Sequence, residues 1–432
     1  MGEVHTYYLR MTNSDERGER LRNRPDFLRY WMASSVSDLG TYVSTIAIQV
    51  LVVFTLHDGA VGVGLVSAAR WFPYLLFGLV AGVVIDQFPR RPLLVVTDLG
   101  RGILLIVVPV LALTHRLSLL VLVLFMAVFG LMSLLNDAAS QSLLPRLVPV
   151  HQLTSANARL DQSSAVAQTS GPALAGGLVS LISAPWTVLF DAASFVASGL
   201  LLMRIAVSEP PRRVVSMRDV GREAREGLQW IYQHANLRPL ALSTHGWFLC
   251  NAFASTVLPL FVLRTLGINA FGYGVALSLA GVGALVGSLS ATRLGARFGC
   301  GRVVVACRLA TAGSWALIAL SPQQSSGWIV LGAGEILLGL SMGAENANEM
   351  GYWQAFTPDA LQGRVNATRR SINRAMLVVG APIGGFLGEK IGYRPILWMA
   401  SAGFLVVGAT LGLSQFRNAR IGSASLSDPG ES

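Results

Sequence analysis

The sequence predicts an all-α membrane protein, with twelve transmembrane helices arranged as two pseudo-symmetric six-helix bundles. Three observations carry that expectation. The 432 residues are 53% hydrophobic and only 13% charged, with a mean hydropathy of +0.55. Soluble chains carry about 25% charged residues, and no soluble core of this size could hide so much apolar sequence from water. Twelve stretches also have the roughly 20 mostly apolar residues that a helix needs to cross hydrocarbon. Finally, the chain repeats itself: "PVHQLTSANA" from Pro149 and "PDALQGRVNA" from Pro358 stand 209 residues apart. At the same offset Gly171 meets Gly380, and Asn136-Asp137 meets Glu345-Asn346. A repeat over half the chain, in one orientation, is how many secondary transporters are built.

Residues 1–28 are too polar for a signal peptide and read as a cytoplasmic tail. The first bundle occupies 29–205, with spans at 29–56, 61–85, 92–113, 117–138, 157–183 and 185–205. A linker follows at 206–237. The second bundle occupies 238–415, with spans at 238–263, 271–292, 302–320, 328–348, 366–389 and 395–415. Residues 416–432 form a second tail. In the linker, Ser216 and Asp219 suggest a capping box. Val220, Ala224, Leu228 and Ile231 then recur at helical spacing, which predicts an amphipathic helix lying on the cytoplasmic leaflet.

The net charge of +10 invites a nucleic-acid partner, but the placement of the arginines excludes one. Arginines crowd the N-terminal tail, the 2–3, 4–5 and 8–9 connections, the linker and the C-terminal tail, all on one side if twelve helices alternate. The opposite loops hold Arg116, Arg264, Lys390 and Arg394. Positive charge stays cytoplasmic during insertion, so both termini are expected there. Cys250, Cys300 and Cys307 show neither disulfide nor metal spacing and read as packing residues.

The connection "GVVIDQFPRR" spends Asp86, Arg90 and Arg91 on ten residues of an otherwise apolar region. It resembles the G-x-x-x-D-R-x-G-R-R signature of the major facilitator superfamily. Gly82, Asp86, Arg90 and Arg91 match, while Gln87 and Pro89 replace a basic residue and a glycine. "SSVSDLG", "DLGR", "LFDAASF" and "QAFTPDALQGRVNA" are similar to the branch containing macrolide-efflux and enterobactin-exporter type proteins. "SGPALAGG" resembles the antiporter motif of exporters. The resemblance implies a cytoplasmic gate at Gly82, Asp86, Arg90, Arg91, Asp137 and Arg364, and helix hinges at Gly171, Pro172, Gly380 and Pro382. Topology alone would explain the two arginines but leaves Asp86 unused.

ATP cannot be the energy source through a Walker motif, because the chain's single lysine is Lys390, in "GEKIG". "GVGALVG", from Gly281, lies inside an apolar span and reads as small-residue packing. An ion gradient is the natural alternative, and acids within spans are the usual proton carriers. The first span carries Ser34, Asp38, Thr41, Thr45 and Gln49 as a polar stripe facing an aqueous cavity. Helical rise sets Asp38 about 13 Å from the level of Arg70, which makes Thr45 or Gln49 the better neighbour for that arginine. The seventh span offers Asn251, and the tenth offers Glu335 and Glu345. Asp38 or Glu335 is the expected coupling acid, with Glu345 a cytoplasmic-side relay.

The functional expectation is export of a small amphiphilic molecule, a drug, antibiotic or siderophore-like metabolite, from a bacterial plasma membrane by alternating access and proton antiport. The partners are that substrate, protons and lipid, with no nucleic acid, metal or cofactor, and the unit is a monomer. An uptake permease of the same fold is the alternative. A membrane sensor lacks a soluble domain here, and a membrane-embedded enzyme lacks any catalytic spacing.

Overall fold

The computed structural model describes residues 21–85, 88–207, 217–323 and 326–420. The described residues form thirteen α-helices. The first bundle contains α1 (Pro25–Val50), α2 (Ala60–Ile85), α3 (Arg90–Leu113), α4 (Leu119–Leu147), α5 (Leu153–Ile182) and α6 (Ala184–Met203). Next comes α7 (Met217–Gln233), the linker helix. The second bundle contains α8 (Leu237–Leu260), α9 (Ala270–Phe298), α10 (Cys300–Leu320), α11 (Gly327–Phe356), α12 (Asp359–Ile391) and α13 (Tyr393–Leu413). Among the described residues, eleven helices are long and apolar enough to cross a membrane. The eleventh predicted span became α12, whose 33 residues are long enough. Its first half, with Arg364, Arg369, Arg370 and Arg374, is too polar to qualify by composition.

The internal repeat is written into the backbone. Both α1 and α8 close with a π-helical turn, Leu51–Thr55 and Phe261–Thr265. The bends that follow use left-handed residues, His57 at φ 54° and Gly267 at 69°. Ser183 (φ 71°) before α6 corresponds likewise to Gly392 (φ 92°) before α13. Packing repeats too: α1–α6, α3–α6, α3–α4, α2–α4 and α1–α5 recur as α8–α13, α10–α13, α10–α11, α9–α11 and α8–α12. The halves meet through α2 on α12 and α5 on α9, a pair of contacts related by the same symmetry.

Several helices outrun their predicted spans at the end bearing the described termini. For example, α4 continues to Leu147 and α11 to Phe356. Hydropathy reports where hydrocarbon ends, and a helix needs no hydrocarbon to keep its hydrogen bonds. The linker helix docks on α12 and α8. Ile231 is buried there with Leu237, Tyr352, Trp353 and Phe416, while Leu228 faces out. The capping residue Ser216 lies outside the described residues.

The core is divided unevenly. One apolar cluster runs through both halves, joining Val52, Ala60, Leu260 and Ala270, at the end away from the termini. Nearer the termini there are two separate clusters. One belongs to the first half, around Phe27, Leu94, Leu143 and Leu202, and the other to the second half. The halves are therefore fused at one end and parted at the other.

Candidate functional site: a central cavity between the two halves

Small residues make the fused end possible. Gly64 and its repeat equivalent Gly274 lie against backbone of the opposite half. A Cβ there would come within 2.4 Å of the Ala381 oxygen and 2.1 Å of the Pro172 oxygen. Two charged side chains of the second half then grip the first. Glu389 accepts the backbone N–H of Val61, at the start of α2, at 2.9 Å. Arg264 donates to the carbonyls of Val53 and Asp58 at 2.8 and 3.0 Å, just past α1. Each charge suits the helix end it meets, a carboxylate at an N-terminus and a guanidinium at a C-terminus.

Below this seal lies a cavity of about 950 Å³ between α1, α5, α8, α9 and α11. Its roof is the hydrogen bond from Tyr273 to Gln49 Oε1, at 2.9 Å, which spans the two halves. On α5 and α9 contact holds down to Thr169 and Gly281. Beyond it the helices line opposite walls, and Asp161, Ser288 and Asn346 are exposed toward the terminal end. A smaller polar cavity, about 300 Å³, sits in the first half around Ser34, Asp38, Asn136 and Asp137. Asp161 lines both.

The predicted polar stripe on α1 divides between them. Thr45 and Gln49 line the central cavity, Ser34 and Asp38 line the smaller one, and Thr41 lines neither. Thr45 donates to the Thr41 carbonyl at 2.7 Å and accepts from Arg70 Nη1 at 3.0 Å. Arg70 thus reaches the residue that helical rise indicates. Its guanidinium also lies 5.5 Å from the Trp71 ring centre. From the other half, Arg374 stacks on the same ring at 3.8 Å. Tyr74, beside it, donates to Asp137 Oδ2 at 2.7 Å. Asn251 is half-buried one turn from the cavity residues Trp247 and Ser255, and lines neither space.

Deep in the second half a buried ionic network forms part of the cavity wall. Arg308, 0% exposed, meets Glu345 Oε1 at 2.9 Å and Glu349 Oε2 at 3.0 Å. It also donates to Ser243 and Thr244 at 2.7 and 2.8 Å. Arg369 approaches Glu349 at 3.5 Å and stacks on Trp353. Glu345 Oε2 is buried without a hydrogen-bond partner. Glu335 is more isolated: 1% exposed, with neither carboxylate oxygen hydrogen-bonded.

The residues expected to form one cytoplasmic gate go to separate places. Asp86 lies outside the described residues, and Gly82 ends α2's last turn but one. Arg90 opens α3, and Arg91 donates to the Leu202 and Met203 carbonyls at the end of α6, within its own half. Asp137 holds Tyr74, and Arg364 pairs with Glu223 and Glu226 of the linker helix. That helix is further pinned by Tyr232, whose hydroxyl is 3.0 Å from His245 Nε2 and whose partial burial raises its pKa. The residues proposed as hinges sit at helix crossings: Gly171 against Tyr42, Gly380 against Ala252 and Leu249. Both α5 and α12 run unbroken through them and through Pro172 and Pro382.

Glu349 continues the sequence stripe of Glu335, Met342 and Glu345 along α11, whereas Arg308 and Arg374 carry no expectation from the sequence. The available signal was an arginine inside an apolar span, which is costly unless satisfied.

A family model described as a transmembrane secretion effector matches residues 21–428. The chain is 28% identical over 260 residues to the MFS-type transporter y4rN of Sinorhizobium fredii, covering 60% of this chain and 62% of that protein. It is 24% identical to the MFS-type transporter YfiS of Bacillus subtilis, covering 90% of this chain and 91% of that one. It is 21% identical to macrolide efflux protein A of Streptococcus pyogenes, over 88% of this chain and 93% of that protein. Among solved structures, the nucleoside transporter NupG superposes with a TM-score of 0.69 at 12% identity, covering 90% of this chain and 98% of that one. A bacterial homologue of the iron transporter ferroportin superposes at 0.68 with 16% identity, covering 91% and 98%. These likenesses confirm the fold.

Proposed function

This chain belongs to the transmembrane secretion effector family of the major facilitator superfamily, and we propose that it works as a secondary active exporter. On this reading it moves a small amphiphilic molecule out of the cell across the bacterial plasma membrane, by alternating access and in exchange for inward protons. Arginine placement supports cytoplasmic termini, so the cavity described above is open to the cytoplasm. The unit of transport is one chain, since a single copy already holds both halves around the cavity.

The observation that carries the reading is the cavity itself, roofed by the Tyr273–Gln49 bond and parted at the terminal end. A substrate enters from the cytoplasm or inner leaflet and settles between the halves. Outward opening then requires the contacts of Gly64, Gly274, Glu389 and Arg264 to part, while the terminal ends close. Glu335 supports proton exchange: an ionised carboxylate without a partner is expensive in a dry interior. Holding a proton in this state and releasing it when water arrives would tie proton flow to the conformational cycle. Asp38, half-buried in the smaller cavity, is the second candidate for that role, with Glu345 the relay.

The deciding measurement is movement of a fluorescent amphiphile into energised inverted vesicles, with and without a proton uncoupler. Uncoupler-sensitive accumulation of the dye inside the inverted vesicles is expected. Accumulation in the reverse sense, in right-side-out vesicles only, would make the chain an uptake permease. Transport indifferent to the uncoupler would remove protons from the mechanism.

A further inference from the structure

The two seams between the halves are repeat equivalents, yet they close to different depths. Both are tight at the outer end, where Gly385 lies against the Ala60 carbonyl and Gly176 against the Ala270 carbonyl. On the α2–α12 side contact continues toward the termini. Arg374 stacks on Trp71 at 3.8 Å, and further down a Cβ on Gly78 would stand 3.2 Å from the Ser371 hydroxyl. On the α5–α9 side contact holds only down to Thr169 and Gly281. The sequence explains the difference. At the repeat offsets of 210 and 209 residues, Trp71 corresponds to Gly281 and Arg374 to Ala165. A ring and a guanidinium fill one seam where a hydrogen and a methyl group leave a notch in the other.

Gly281 lies eleven residues along α9 from its outer end, about 16 Å by helical rise. That is near the middle of a hydrocarbon core about 30 Å thick, so the notch below it stands in the inner leaflet. Its upper part is apolar. Ala165 of α5 and Ala284 and Leu285 of α9 line the cavity there. Leu285 is also 39% exposed, and Val166 and Leu289 beside the notch are exposed, so an apolar rim runs from the cavity to the outer surface of the same two helices. One turn lower the lining becomes polar with Asp161 and Ser288, and Gln162 is exposed. Apolar above and polar below is the order of an inner-leaflet amphiphile, whose tail points to the midplane and whose head meets water.

We propose that the α5–α9 notch is a lateral entrance for amphiphiles bearing an alkyl or acyl chain, which pass into the central cavity directly from the inner leaflet. The tail lies between Ala165 and Leu285, and the head follows Asp161 and Ser288. The α2–α12 seam, filled by Trp71 and Arg374, stays shut. A gap between helices that faces lipid leaves no backbone group unsatisfied, since each helix keeps its own hydrogen bonds. The bilayer also concentrates such molecules beside the notch, because each methylene favours apolar surroundings over water. The inference rests on the reading of this cavity as the transport site. It specifies the inner leaflet as the source and a chain as the feature that enters.

Quenchers carried on lipid chains test it, with the full-length protein in proteoliposomes and the native thiols removed by Cys250→Ala, Cys300→Ala and Cys307→Ala. A bimane label is attached through Ala165→Cys or, on the opposite wall, through Ala284→Cys. Phosphatidylcholine with a nitroxide on its acyl chain is expected to quench both at least half as strongly as a label at the lipid-facing Val166→Cys. It should quench them at least threefold more than a label at Ser371→Cys in the closed seam. Adding Ala165→Trp, which refills the notch, should bring the Ala284→Cys label down to the Ser371→Cys level. Labels reached by iodide but not by the nitroxide lipid would make the notch part of the aqueous mouth and overturn the inference. Equal quenching in the two seams would overturn it too. Two independent label sites cover the failure of either variant to fold. Quenching needs no pumping, so vesicles that fail to accumulate dye would sink the transport reading with the entrance intact. Vesicles that pump around an unquenched notch would keep the transport reading and move entry to the water side.

Discussion

Asp98 and Arg308 occupy corresponding places in the two halves, 210 residues apart, and carry opposite charges. Each is buried on the third helix of its bundle and faces the fourth, where Asn136 corresponds to Glu345. The first half answers Asp98 with a neighbouring arginine and neutral donors, which leaves a closed, saturated network. The second half answers Arg308 with two carboxylates and leaves one oxygen spare. One position of the repeat thus serves as structure in one half and as part of the cavity wall in the other.

Removing Arg308 should therefore be severe. Arg308→Met leaves Glu345 and Glu349 facing each other without their shared cation, and breaking a buried pair from one side costs about 3–5 kcal/mol. A large fall in thermal midpoint in detergent is expected. Glu345→Gln should fall much less, because Arg308 keeps Glu349. Equal midpoints for the two variants would contradict the shared-cation account.

Arg70 should be needed for transport more than for folding. Its direct hydrogen-bond acceptor, Thr45, carries no charge, and its ring contacts are modest. Arg70→Gln is expected to keep expression and monodispersity while lowering initial efflux roughly tenfold, a change of about 1.4 kcal/mol in barrier. Normal efflux by both Arg70→Gln and Arg70→Ala would make the residue dispensable.

The grip at the outer end should set the balance between inward-open and outward-open forms. Charges at helix ends contribute about 0.3–1 kcal/mol each. Glu389→Gln with Arg264→Gln should accordingly shift the ratio toward outward-open by roughly three- to thirtyfold. Labelling a cysteine placed at Gln49 with an impermeant reagent from outside would read this. Unchanged labelling would mean that apolar packing alone keeps that end shut.

Steric contact at the α5–α9 seam should be equally decisive. Gly274→Val places carbon where the Pro172 carbonyl lies, 2.1 Å from the first added atom. The outer end could then no longer close, and efflux should vanish while the protein still inserts. Efflux above about half of wild type would show that α5 and α9 can separate without loss.

Neutralising Glu335 and Asp38 in turn addresses coupling. The coupling acid, changed to Gln or Asn, should lose uphill efflux and retain downhill exchange. If both variants still respond to a proton gradient, neither acid is the carrier.

Hydropathy alone located the helices, and the 209-residue offset exposed the repeat, because both depend on one-dimensional pattern. Depth was legible too: a fixed rise per residue brings Arg70 to Thr45. Rotation about the helix axis was harder. The stripe on α1 runs 15 residues from Ser34 to Gln49, and at about 100° per residue such spacing drifts by about 60°. Its ends accordingly open onto different cavities, with Thr41 caught between. Which helices face each other was not legible at all. Arg308 meets Glu349 across 41 residues of sequence, and Arg364 meets the linker helix across more than a hundred, so neither partnership leaves a local signature. Asp86, the residue that the connecting motif made most prominent, lies outside the described residues.

The polarity of α12 has a consequence for how the protein is made. An arginine in a membrane helix costs up to about 2.5–3.5 kcal/mol at the translocon when it nears the centre, and this helix carries Arg364, Arg369, Arg370 and Arg374 in its first half. Left to its own hydropathy it would be released toward water rather than into lipid. The groups that accommodate it are all synthesised earlier: Trp71 for Arg374, Glu349 and Trp353 for Arg369, and Glu226 of the linker helix for Arg364. Ribosomal order thus delivers the partners first, and the helix joins the bilayer by assembling onto a nearly finished protein. Lesions in those distant partners would then surface as failures of biogenesis, with the last two helices misplaced and the chain cleared by quality control before transport could be assayed.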